Sequence, residues 1–235
     1  MQVLPPEYLV YVDVGGLGGL KYDFSLYPKV HQILFEPNPA SVPTQANCQI
    51  MIEALGVAEH TGVLYITKSQ GCCSLLKPNF SFLNSFSIKP AFEITNIEQV
   101  SVTRYKTLYN QGKVPLPDVL KIDVQGYEYQ VLQGFEDLLH NVVAIELGAH
   151  LHPIYEKQKL LHDIVELLHK FGFMCKSLAH VDHWDGHIVE FDAIFTKTPQ
   201  ALGLLGPYAG MKLDAVLRQW NLPPNQTTFP PGWIF

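Results

Sequence analysis

Charge is scarce in this sequence. Asp, Glu, Lys and Arg make up 16% of its 235 residues, and no lysine- or arginine-rich run underlies the formal net charge of −6. Counterion release from a nucleic-acid backbone needs such a run, so no nucleic-acid partner is expected. Long apolar stretches are missing too: nothing approaches ~18 consecutive apolar residues, which argues against a membrane partner. The opening MQVLPPEYLVYVDVGG has no basic region, apolar run and small-residue cleavage site in succession, as a secretory leader would. Cysteine is limited to Cys48, Cys72, Cys73 and Cys175, with no CxxC pair, so reduced thiols in a cytoplasmic protein are expected. No internal repeat is present. What remains is 47% hydrophobic, enough to bury the core of one domain.

Short apolar runs alternate with helical periods, the pattern of an α/β fold. Residues 8–14 (YLVYVDV) read as a buried parallel strand, 31–36 (HQILFE) as a second and 49–55 as a third. Residues 62–67 (GVLYIT) and 99–105 (QVSVTRY) alternate as strands do. The clearest unit is the strand 118–124 (DVLKIDV), followed by a turn at Gly126 and a helical period over 127–139. A strand at 142–147 (VVAIEL) and an amphipathic helix at 157–171 come next. Residues 173–180 and 187–196 read as a closing antiparallel hairpin around Asp185-Gly186. The expected result is a Rossmann-like domain over 1–198 with a mostly parallel central sheet. Residues 76–98, rich in Phe, Ser and Asn, fit a lid-like insertion over a site or a surface loop anchored by aromatics. Residues 199–235 carry one helix, with Leu213, Val216, Leu217 and Trp220 on a face, and a Pro-rich aromatic tail. Both are expected to pack on the domain or on a second subunit, which leaves a homodimer open.

The first strand ends in Asp13-Val14-Gly15-Gly16-Leu17-Gly18-Gly19, where glycines let the backbone turn and approach a ligand. Glu36 ends the second strand, placed to accept hydrogen bonds from ribose hydroxyls. Together they point to a nucleoside-containing ligand. The dinucleotide pattern GxGxxG fails, since counting from Gly16 its third glycine would be Lys21; an NAD-dependent oxidoreductase is therefore disfavoured. An acid at Asp13 suits the cationic amino-acid part of S-adenosylmethionine and would repel a pyrophosphate. The bland alternative is a tight strand-to-helix connection.

Several ordered motifs then resemble the FkbM family of methyltransferases over roughly residues 9–198. DVGGLGG at 13–19 is similar to the family's DVGANxG, and Phe35-Glu36-Pro37-Asn38-Pro39 to its FEPxP. Ala54-Leu55-Gly56 through Gly62 resembles its ALG segment, and Cys73-Ser74-Leu75 a small serine motif. Most specific is Leu120-Lys121-Ile122-Asp123-Val124-Gln125-Gly126-Tyr127-Glu128, similar to LKIDVEGxE, with VLxG following at 131–134. The departures are Leu17 for the family's asparagine, Gln125 for its acid and Tyr109 for its aspartate. The resemblance implies a class I methyltransferase sandwich and O-methylation of a hydroxyl on a sugar, glycan or natural product. It also implies a cofactor site of Asp13, Gly15, Gly16, Gly19, Glu36, Pro37, Asn38, Ala54, Leu55, Ser74 and Asp123.

A hydroxyl acceptor must lose its proton, which calls for a carboxylate or histidine at the carboxyl edge of the sheet. Asp123 is the first candidate, as base, metal ligand or contact to the methionine amino group; a helix-capping carboxylate is the alternative. Glu128 one turn later, Glu146 ending the fifth core strand, and His150 in GAHLHP complete the catalytic set, with His152 behind them. A divalent metal is compatible with this set but not required by it. His180, Asp182, His183 and His187 alternate faces on the hairpin and make no standard metal site. Asp192 lies in a strand resembling the family's closing EVDALF. The departures at Leu17 and Gln125 keep a second reading open: a binding or scaffold protein that has lost activity.

Overall fold

The computed structural model describes residues 4–25, 27–38 and 48–224. The strands in chain order are β1 (Leu9–Val14), β2 (Val30–Phe35), β3 (Cys48–Met51), β4 (Ala54–Leu55) and β5 (His60–Thr67). They continue with β6 (Ile94–Thr103), β7 (Val119–Ile122), β8 (Ala144–His150), β9 (Phe173–Trp184) and β10 (His187–Lys197). The helices are α1 (Phe80–Leu83), α2 (Tyr105–Asn110), α3 (Glu128–Phe135), α4 (Leu161–His169), α5 (Pro199–Gly203) and α6 (Ala209–Gln219).

Seven strands form the central sheet in the order β3-β2-β1-β7-β8-β10-β9. The first five run parallel, and β10 is antiparallel to both of its neighbours. This is the expected Rossmann-like α/β sandwich with its antiparallel closing hairpin. Strand β1 shows why both faces are buried. Val10, Val12 and Val14 join one core with Tyr105, Leu108, Val131, Leu132, Phe135, Ile164 and Leu168 of α2, α3 and α4. Leu9 and Tyr11 point the other way, into a second core with Ala209, Leu213, Val216, Leu217 and Trp220 around α6. Each fully buried Leu or Val contributes roughly 1.5–3 kcal/mol by leaving water.

Five details differ from the sequence reading. The run at 49–55 divides between sheets: β3 extends the central sheet, whereas β4 joins a three-stranded sheet of order β4-β6-β5. Strand β6 starts at Ile94, so residues 94–98 of the phenylalanine-rich stretch are strand. The helical period at 127–139 breaks at Glu136, whose φ of 52° is left-handed, and finishes as a 3₁₀ turn. No helix follows the glycine turn among the described residues between β1 and β2; Leu20, Tyr22, Phe24 and Tyr27 cover that face instead. The expected strand at 142–147 continues to His150, because Gly148 and His150 pair with Asp192 and Glu190 of β10. Residues 225–235 of the Pro-rich tail, and Pro39 of the FEPxP segment, lie outside the described residues.

Candidate functional site

A cavity opens at the carboxyl ends of β1, β2 and β7, where open α/β sheets bind ligands. Gly15, Leu17, Glu36, Pro37, Asn38, Asp123 and Gln125 line its sheet side. The small sheet and the loop after it supply the opposite wall through Ala54, Leu55, Leu64, Ile66, Ser74 and Leu75. One end is thus polar and the other apolar.

The backbone of the first loop is fixed by packing. Gly15 has φ +83°, and a Cβ there would lie 1.9 Å from the carbonyl oxygen of Asp123. At Gly16 a Cβ would lie 1.9 Å from Cδ1 of Leu34. Gly16 is therefore a packing glycine and does not line the cavity. Gly19 closes the turn, its N–H donating to the Gly16 carbonyl at 2.8 Å, and it lies outside the cavity as well.

Asp13 also turns away from the cavity. It shares a side with Tyr11, whose hydroxyl donates to it at 2.9 Å; the Lys21 N–H donates to the same oxygen at 2.9 Å. Its other oxygen lies 3.3 Å from the Lys121 ammonium. Lys121 in turn donates to the Gly15 carbonyl at 3.2 Å and stands 3.7 Å from Asp123. A fully buried Asp13 thus anchors the lysine beneath the loop, where the sequence suggested a contact to ligand.

Glu36 is mostly buried and accepts the Asn38 N–H at 2.9 Å; burial raises its carboxyl above the usual range. Asp123 is 43% exposed and accepts from the Gln125 amide at 3.0 Å. Tyr155 hydroxyl lies 3.1 Å from the Gln125 carbonyl oxygen, so the glutamine spans a buried phenol and an exposed carboxylate. Ser74 faces the cavity, but its hydroxyl accepts the Leu76 N–H at 2.9 Å.

The remaining catalytic candidates sit behind this surface. Glu128 is buried and accepts the N–H groups of Val124 and Gly126, each at 3.1 Å, so it braces the turn into α3. Burial pushes its carboxyl up to about 7. Glu146 is the third residue of β8, not its end, and takes a 2.5 Å contact from the Lys21 ammonium; the same ammonium reaches Asp192 at 2.9 Å. His150 is 2% exposed, with Nε2 3.5 Å from a Glu190 carboxylate oxygen. Burial pulls its pKa down, but Glu190, Glu128 and Asp123 together raise it above the ordinary value. His152 stacks on Phe82 with ring centroids 5.5 Å apart.

Glu190 escaped the sequence reading. The available signal was its place two residues before Asp192, on the same side of a strand. No group of three or more His, Cys, Asp or Glu among the described residues is placed to hold a metal ion, the hairpin histidines included. All four cysteines are free, and no described helix is long and apolar enough to cross a membrane.

Over 67 residues, 26% of this chain and 28% of its relative, the sequence is 36% identical to the hexuronic acid methyltransferase AglP of Haloferax volcanii. Among solved structures it is similar to the methyltransferase FkbM from Methylobacillus flagellatus KT: TM-score 0.44 and 12% identity over 80% of this chain and 44% of that one. A second, LepI in complex with SAM, gives TM-score 0.32 and 14% identity over 82% and 44% of the two chains. The chain spans less than half the length of each of these relatives. The family model for the methyltransferase FkbM domain matches residues 15–175, more than half of the chain, and the protein belongs to that family.

Proposed function

We propose that the chain is an S-adenosylmethionine-dependent methyltransferase that modifies a hydroxyl on a sugar, glycan or natural product. The observation that carries this reading is the convergence of Gly15, Glu36 and Asp123 at one cavity whose far wall is apolar. The residues fit the cofactor. Glu36, at the end of β2, is placed for ribose hydroxyls, and Leu55, Leu64, Ile66 and Leu75 offer a dry surface for a flat base. Gly15 and Asp123 form the polar end, suited to an amino-acid head group. When bound, S-adenosylmethionine supplies an electrophilic methyl group carried on a sulfonium.

What the chain contributes is placement. Lys121 ties the Gly15 carbonyl to Asp13 and Asp123, so the loop and the end of β7 move as one body. Gln125 holds Asp123 by a neutral amide, where a second acid would repel it. The phenylalanine-rich segment packs through Leu83 and Phe92 on Ile154, Tyr155 and Val189, and Ser87 is hydrogen-bonded to Asp185 at the hairpin tip. That anchoring supports a role in covering the acceptor. No step needs a metal.

Calorimetry with S-adenosylhomocysteine and NAD tests the reading, with micromolar binding of the former and none of the latter expected. Tight NAD binding without S-adenosylhomocysteine binding would overturn it. Cofactor binding with no transfer to any of a broad set of hydroxyl acceptors would favour an inactive binding protein instead.

A further inference from the structure

We infer that Glu190 is the catalytic base on the acceptor side, that His150 positions it, and that the acceptor is an uncharged hydroxyl compound, not a carboxylate. This rests on the methyltransferase reading above. In the β8–β10 register Glu190 stands opposite His150 and Asp192 opposite Gly148, so the four share one side of the sheet at its carboxyl edge. Gly148 has no side chain. A Cβ built there would lie 3.5 Å from Oδ1 of Asp123 and 3.6 Å from Oε1 of Glu190. The two carboxylates therefore flank one small gap above the glycine, with Asp123 also lining the cofactor cavity.

The strand is distorted to achieve this. The β9–β10 pairing shifts between Ile188 and Glu190 and again between Glu190 and Asp192, and His180 across from it is left-handed at φ 47°. Paired bulges of this kind re-aim a side chain. His150 gives the second, independent sign. It is buried, neither ring nitrogen has a hydrogen-bond partner, and 3.5 Å to Glu190 is too long for a good one. Glu190 is 22% exposed on its side chain and so stands between the buried imidazole and solvent. Glu128, Asp123 and Tyr155 face His150 from the other elements packed on it.

The charges select the acceptor. Asp123 and Glu190 flank the gap, while Lys21 is held by Glu146 and Asp192, and Lys121 by Asp13 and Asp123. Neither lysine is left to receive an acceptor carboxylate, whereas hydroxyl groups can donate to both flanking acids. In the reaction the acceptor O–H bond breaks and its proton passes to Glu190. An O–CH₃ bond forms, and the C–S pair returns to the sulfur of the sulfonium donor, leaving a neutral thioether. Glu190 then releases the proton to water.

The test uses Glu190→Gln and Gly148→Ala in the full chain, with methyl glucoside and glucuronate as probes. Three readouts apply: calorimetry with S-adenosylhomocysteine, NMR titration of His150, and saturation-transfer NMR on the loaded protein. Both variants should bind S-adenosylhomocysteine within about twofold of the parent. Glu190→Gln should lower the His150 midpoint, and Gly148→Ala should abolish binding of methyl glucoside. With any hydroxyl acceptor that turns over, Glu190→Gln should lose about 10²–10⁴ in kcat and shift the pH profile to higher pH. An unmoved His150 midpoint, binding of neither probe, tighter binding of glucuronate, or turnover within threefold of the parent would overturn the inference. Failure of the parent to bind S-adenosylhomocysteine would instead sink the reading beneath it.

Discussion

Replacing Glu128 with glutamine should reshape the stability of the protein as a function of pH. The carboxyl is fully enclosed, and burial pushes it from 4.5 up to about 7, with Asp123 raising it further and a protonated His150 opposing. Below pH 4.5 it is neutral in the folded and unfolded chains alike. Between 4.5 and about 7 the unfolded chain gives up its proton while the folded one keeps it, so stability falls as pH rises. Above about 7 the loss is complete and amounts to about 3 kcal/mol. Glutamine keeps the oxygen that receives the Val124 and Gly126 N–H groups but never ionises. The stability of Glu128→Gln relative to the parent should therefore climb by about 3 kcal/mol from pH 4.5 to 7.5. Urea denaturation at half-unit pH steps reads this directly from the midpoint and slope. A difference constant to within ~0.5 kcal/mol over that range would refute the argument and show that the carboxyl ionises as it would in water.

Two other substitutions probe the remaining buried charges. Lys197 donates to the carbonyls of Leu139 and Phe171 and lies over the Phe173 ring, and burial pulls its pKa down to about 8. The unfolded chain then holds that proton longer, so stability should rise between about pH 8 and 10.5, and Lys197→Met should flatten the rise in alkaline denaturation curves. Lys21→Met strands Glu146, only 3% exposed on its side chain, and should cost about 2–3 kcal/mol at pH 7. Adding Glu146→Gln should recover most of that loss in the same thermal or urea measurement; no recovery would mean that the lysine acts through packing.

The sheet was legible because its strands are buried on both sides and read as unbroken apolar runs. The same property hid the direction of Asp13. In a run such as LVYVDV every position is buried, and only the partners across the sheet, Lys121 above all, show that its side chain belongs with Leu9 and Tyr11. Strand β4 holds two residues and gains its identity from distant β6, so no local pattern separates it from β3. Asp123 and Glu36 were legible as acids at the ends of strands. Glu190 was not, because its aim depends on irregular pairing with β9, a property of two segments and not of either one. His150 was read as following the strand, whereas the strand continues to it through its ladder with β10.

The irregular β9 has a bearing on how the molecule keeps to itself. It is the outermost strand, twelve residues long, and Met174, Leu178 and Val181 on it are exposed. A straight strand of that length would offer a template on which another chain could zip, the first move toward fibrils. The left-handed kink at His180 and the shifted pairing around it divide the outer row of backbone groups into short, misaligned pieces. Lys176, Asp182 and His183 add polar and charged side chains along the same strand. Straightening the hairpin would then cost the protein twice, once in the aim of an acid and once in its colloidal solubility.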